Sequence, residues 1–151
     1  MKINIVGTRI DCYSFDEVVE MTIDRALTGT SPTYIVTPNA QHINNLQHDS
    51  LFRKIYRQAF LAIPDGISII WAAKFFKTPL PEKISGSDLL EKLCERGASK
   101  PLRIFFLGGR HEAAERAAEM LEQRYQGLKI AGTHCPPVGF ENDPAEINLI
   151  D

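Results

Sequence analysis

Three short segments carry side chains suited to chemistry: Thr37-Pro38-Asn39, Pro64-Asp65-Gly66 and Gly108-Gly109. Each follows an apolar run of the kind that forms a buried parallel strand. Open parallel sheets bind ligands outside the carboxyl ends of their strands. Asp65 is the leading candidate. It follows three apolar residues and precedes an apolar helix, so its carboxylate is partly desolvated and can take a proton from an attacking hydroxyl. Pro-Asp-Gly is also common turn chemistry, so a turn-and-cap role competes with that one. Thr37 and Asn39 can exchange hydrogen bonds with the hydroxyls of a sugar, against ordinary roles as a strand-end hydroxyl and a helix cap. Gln41 and His42 fall in the first turn of the following helix, where one can face the crevice and the other the core. Gly108 and Gly109 let backbone amides approach a phosphate at a helix N-terminus. A tight strand-to-helix turn is the alternative. Gly86 and Ser87, ahead of Asp88, offer a second anion site of the same kind. The strand ends are expected to converge on one crevice.

Several chemistries are excluded. There is no GxGxxG and no GxxxxGK[ST], so neither a dinucleotide fingerprint nor a P-loop is present. The absence of Gly-x-Ser-x-Gly argues against an α/β-hydrolase. His134 and Cys135 are adjacent, but no second ligand pair stands at zinc spacing, so no metal is expected. Cys12, Cys94 and Cys135 are read as reduced thiols, because an odd count without CxxC gives no disulfide framework. The net charge is −2, which leaves no electrostatic footprint for nucleic acid. No signal peptide is recognisable at the start. The most apolar helix candidate, 67–76, is far short of the ~20 residues that span a bilayer. Any membrane contact is therefore expected to be peripheral.

The elements that must position these residues alternate. Strands are expected at 2–6, 34–36, 61–63, 103–107 and 128–131, with residues 8–13 extended, as in a short hairpin. Ser14 and Glu17 fit a capping box for a helix that stops near Gly29. Further helices are expected from Ala40 under an Asn39 cap, from Asp49 or Ser50 to Ala59, over 67–76, over 88–97 under a Ser85 or Ser87 cap, over 111–125, and from Asp143 or Pro144. The 67–76 helix is nearly all apolar and is read as buried, with a homo-oligomer interface as the alternative. Glu112, Glu115, Glu119 and Glu122 form a solvated helix face. Strand–helix alternation at this spacing predicts βαβ units. The expected architecture is one α/β domain over 1–151, an open, mostly parallel Rossmann-like sheet with helices on both faces, truncated at its C-terminus.

Four motifs, taken together, resemble a known family. Val36-Thr37-Pro38-Asn39-Ala40-Gln41-His42, Pro64-Asp65-Gly66, Ser85-Gly86-Ser87-Asp88-Leu89 and Phe105-Phe106-Leu107-Gly108-Gly109 stand in the order and spacing of the WecG/TagA/CpsF glycosyltransferases. The similarity runs from about residue 2 to the end, and it is nearest to the branch that builds wall teichoic acid. It implies inverting transfer of N-acetylmannosamine from UDP-N-acetylmannosamine. The implied acceptor is the 4-hydroxyl of N-acetylglucosamine on undecaprenyl diphosphate. It implies no cofactor, no essential metal and a cytoplasmic place at the inner face of the bacterial membrane. By the resemblance Asp65 is the general base. Thr37 and Asn39 line the sugar pocket, Gln41, Gly66, Gly86 and Asp88 count among the substrate-binding residues, and Gly108 and Gly109 match the nucleotide-side loop. Where family members often carry arginine, this chain has Lys83, a point charge in place of a bidentate fork. The family also continues past residue 151 with further strands and a basic segment thought to reach the membrane, so a chain of this length alone is expected to have weak or no activity. The competing readings are an NAD-dependent nucleotide-sugar enzyme, disfavoured by the missing GxGxxG, and a noncatalytic interaction module.

Overall fold

The computed structural model describes residues 2–109 and 112–150. The chain forms two compact units, Met1–Leu93 and Cys94–Asp151. The architecture is mixed α/β, with short antiparallel and parallel strand pairs.

The first unit opens on a hairpin of β1 (Lys2–Ile5) and β2 (Thr8–Asp11), with Ile3 opposite Ile10 and Lys2 opposite Asp11. Its two turn residues, Val6 and Gly7, have φ of 49° and 78°. Positive φ at both positions matches the right-handed twist of the flanking strands. Alternation then sends Ile3, Ile5 and Ile10 inward. Helix α1 (Phe15–Thr28) carries the expected capping box. The Ser14 amide donates to Glu17 Oε2 at 2.7 Å, and the Glu17 amide donates back to Ser14 Oγ at 3.4 Å.

These contacts from the Ser14 amide, then from its hydroxyl, hold the Glu17 carboxyl below its ordinary value of 4.5. A depressed carboxylate stabilises the fold above its unfolded pKa, and that contribution is lost as pH falls through the folded value. The start of α1 should therefore fray selectively in acid below about pH 4.5. Amide exchange at residues 15–18, followed against pH, checks this. Equal protection there at pH 6 and pH 3.5 would contradict it.

β3 (Ile35–Val36) pairs in parallel with β4 (Leu61–Ala62). The crossover between them consists of α2 (Ala40–His48) and α3 (Ser50–Gln58). Asn39 caps α2 by accepting from the His42 amide at 2.9 Å, and Asp49 caps α3 by accepting from the Phe52 amide at 2.9 Å. α4 (Ile67–Phe75) and α5 (Gly86–Gly97) follow. The core of this unit joins Ile3, Ile5 and Ile10 of the hairpin to Ile69 and Ala73 of α4 and to Leu80.

In the second unit β5 (Arg103–Leu107) pairs in parallel with β6 (Lys129–His134) through α6 (Ala113–Arg124). The core there is Cys94, Phe106, Ala114, Ala118 and Leu128. The register slips between Ile104 and Phe105, which places Phe105 opposite Gly132. A Cβ on Gly132 would stand 2.8 Å from the half-exposed Phe105 ring, which would have to move to admit it. A 3-10 turn over Phe140–Asn142 and α7 (Pro144–Ile150) complete the described chain.

Three sequence expectations are revised. Where one Rossmann-like sheet is expected, the strands among the described residues pair two by two, β1 with β2, β3 with β4 and β5 with β6. Between β2 and β4 the reason is visible. The Ala62 amide is taken at 2.9 Å by the Asp11 carboxylate, so a side chain stands where a backbone rung would join the strands. Second, α4 is not a buried helix. Ile69 and Ala73 are buried against the hairpin, while Trp71 is 65% and Phe75 83% exposed. An apolar helix buries only the faces that have partners, and α4 meets the hairpin on one side. Third, β6 runs on to His134, beyond the expected Ala131. The expected helix start at His111 lies outside the described residues.

Candidate active site

Backbone chemistry creates the site. β3 and β4 run side by side and both end in a buried proline, Pro38 and Pro64. Proline has no N–H to donate, so regular pairing stops there. One last rung holds the ends level: the Asp65 amide donates to the Pro38 carbonyl at 2.9 Å. A third segment then closes in, as the Ile84 amide donates to the Pro64 carbonyl at 2.9 Å. Residues 37–39, 64–66 and 84–86 thus meet at one point. Thr37 and Gly86 are in near contact, with Thr37 Cγ2 3.8 Å from where a Cβ on Gly86 would lie.

Asp65 sits at this junction. It is half-buried, and its carboxylate makes no hydrogen bond or ion pair with another described residue. Its position is fixed through the backbone, leaving the carboxylate for a ligand. Gly66, the next residue, has φ of 121°, a conformation that strains any side chain bearing a Cβ. That turn sends the chain directly into α4, and no side chain caps the helix start. Asn39 accepts through Oδ1 from the His42 amide and so caps α2. Ser85 Oγ accepts from the Asp88 amide at 3.2 Å and lies 3.1 Å from Ser87 Oγ. Ser85, with the backbone turn it makes, is therefore the cap of α5, and Asp88 is exposed in its first turn.

Helices α2, α4 and α5 all begin within two residues of the junction. Each N-terminus carries unpaired amides and the positive end of a helix dipole. Three such ends beside one carboxylate make a place where a proton acceptor and a developing negative charge can coexist. Lys83 stands one residue before the Ile84 rung and is exposed, as is Gln41 in the first turn of α2.

His42 does not join the site. Its Nδ1 lies 2.6 Å from the Tyr56 hydroxyl, and its ring meets Phe52 edge-on with centroids 5.5 Å apart. It ties α2 to α3. Burial pushes the Tyr56 phenol up to about 12, which keeps it protonated at working pH.

Gly108 and Gly109 end β5 in the second unit, with φ of 101° and 95°. The Gly108 amide is engaged, donating to the His134 carbonyl at 2.9 Å. Of the two glycine amides expected to approach a phosphate, that one is already used. Around them stands a cluster that spacing did not reveal. Cys135 Sγ reaches the Gly108 carbonyl at 3.3 Å, Thr133 Oγ1 reaches Glu115 Oε1 at 3.4 Å, and His134 Nε2 pairs with Glu146 Oε1. Glu115 is exposed, as the solvated helix face requires, and also reaches Thr133 of β6. No group of three or more His, Cys, Asp or Glu side chains among the described residues is arranged to hold a metal ion. Nor is any helix among them long and apolar enough to cross a membrane.

The family profile described as "Glycosyl transferase WecG/TagA/CpsF family" matches residues 3–151. Two curated relatives carry the name N-acetylglucosaminyldiphosphoundecaprenol N-acetyl-beta-D-mannosaminyltransferase. They come from Staphylococcus aureus strains NCTC 8325 / PS 47 and COL, and each is 27% identical over 134 residues. The match covers 88% of this chain and 53% of each relative, so the chain spans about half the length of the curated relatives it matches.

Proposed function

The chain belongs to the WecG/TagA/CpsF glycosyltransferase family, and from that premise we propose that it carries the acceptor-activating half of an inverting glycosyl transfer. The donor is UDP-N-acetylmannosamine. The acceptor is the 4-hydroxyl of N-acetylglucosamine on undecaprenyl diphosphate, the lipid in the names of the relatives. The product is an intermediate of teichoic acid or a related surface polymer. The protein works at the inner face of the cell membrane, which it contacts peripherally.

The observation that carries this reading is the Asp65 carboxylate, half-buried and without a partner among the described residues, where two parallel strands end. In the reaction, Asp65 takes the proton of the acceptor hydroxyl. The oxygen attacks the anomeric carbon from the face opposite the leaving group, the bond from carbon to the diphosphate oxygen breaks, and UDP departs. One displacement inverts the anomeric centre, so one carboxylate is enough. A retaining enzyme working through a covalent intermediate would need a second group as nucleophile. Charge gathering on the diphosphate is met by the N-terminal amides of α4 and α5 and by the Lys83 ammonium. The reading uses no metal and no cofactor. Thr37, Asn39 and Gln41 hold the sugar hydroxyls.

The test is UDP release by the full-length protein. UDP should appear from UDP-N-acetylmannosamine only when a prenyl-diphosphate N-acetylglucosamine acceptor is present. Absence of release with both substrates, or equal release with UDP-glucose, would refute the proposed reaction.

A further inference from the structure

A second concavity of the first unit lies beside β4, where Ala59 and Ala62 reach its wall. A cleft of about 550 Å³ opens between the β1–β2 hairpin, the end of α2 and the face of α3. A cavity of this size suits a small ligand. Its walls carry Lys2, Arg9, Arg53 and Arg57, and no acidic side chain lines it. In a chain whose net charge is −2, that concentration of cations stands out.

The four cations are not equivalent. Lys2 is paired, its Nζ 3.4 Å from Asp11 Oδ2. Arg53 is half-buried and fixed. Its Nη1 donates to the Leu46 and Gln47 carbonyls at 2.7 and 2.9 Å, across the C-terminal end of α2. That contact covers the carbonyls that would otherwise repel an anion and sets the guanidinium plane at the cleft. Arg9 and Arg57 are exposed and make no hydrogen bond or ion pair with another described residue. Two uncommitted guanidiniums lining one cleft with a third that is held in place supply the planar forks from which phosphate oxygens accept.

From this geometry we infer that the cleft is a binding site for a phosphate-bearing ligand, separate from the Asp65 junction. The cleft residue nearest to Asp65 in sequence is Ala62, three residues before it, a span of up to about 10 Å at ~3.3 Å per residue, and none of residues 37–39, 64–66 or 84–86 lines the cleft. The ligand chemistry is a phosphomonoester or diphosphate group, either on a free small molecule or on a lipid headgroup. The site is independent of the proposed transfer reaction, since none of its residues belongs to the junction.

Titrating the full-length protein with inorganic pyrophosphate, and separately with phosphatidylglycerol vesicles against phosphatidylcholine vesicles, tests the site. Saturable pyrophosphate binding indicates a free ligand; binding only to anionic vesicles indicates a headgroup. In either arm, the exposed pair of substitutions Arg9→Gln and Arg57→Gln should weaken binding at least tenfold, while Asp65→Asn leaves it unchanged. Backbone amide shifts at residues 4–9 and 53–57 should report the bound state. No binding in either arm overturns the inference. So does unchanged affinity in the doubly substituted protein, or loss of affinity in Asp65→Asn.

Discussion

Asp65→Asn in the full-length protein should lower turnover roughly 10²–10⁴-fold, the usual contribution of a general base. Asparagine keeps the size and the hydrogen-bonding oxygen but cannot accept a proton at working pH. Its backbone can still make the rung to Pro38, because that bond uses the amide and not the side chain. The fold should therefore persist, which an unchanged melting temperature verifies. The distinguishing measurement is a kcat against KM split. A base acts on the reacting atoms, so kcat should fall while KM for UDP-N-acetylmannosamine stays within a few-fold. Near-normal kcat in Asp65→Asn would end the assignment of Asp65 as base.

The second large effect concerns stability. Asp11 is 2% exposed, and its Oδ2 accepts the buried Ala62 amide. Asp11→Ala leaves that amide without an acceptor, a loss of about 1–3 kcal/mol. Lys2 contributes less, because its side chain is 51% exposed and such pairs are well screened. Asp11→Asn retains an oxygen for the Ala62 amide and should cost under ~1 kcal/mol. Urea unfolding of the two variants separates the causes. A midpoint for Asp11→Ala equal to that of the native protein would show that the contact does not support the fold.

Local signals were legible in the sequence, and nonlocal ones were not. The Ser14–Glu17 box and the Asn39 cap each depend on groups three residues apart, and both stand where spacing placed them. β5 has the expected bounds because Ile104, Phe105 and Phe106 concentrate strand-forming side chains in one run. The 64–66 turn was marked by its own residues. What failed needed partners distant in sequence. Asp11 falls in a run read only as extended, and its importance rests on an amide 51 residues away. The pairing of strands was not legible because β3 and β4 are two residues each, and what lies beside so short a strand is not written in its own run. The burial of α4 failed because an all-round apolar pattern states a need for cover without saying what supplies it. Ser85 was one of two candidate caps for α5, and only the hydrogen bond to the Asp88 amide decides between it and Ser87.

The exposed face of α4 also makes the protein its own spectroscopic probe. Trp71 is the only tryptophan in the chain, and it projects from the helix that starts immediately after the Asp65 turn. Its indole is bathed in water. Tryptophan emission from this chain therefore arises from a single site six residues past the candidate base, and anything that covers this helix, whether protein or lipid, will announce itself as a blue-shifted emission without a label.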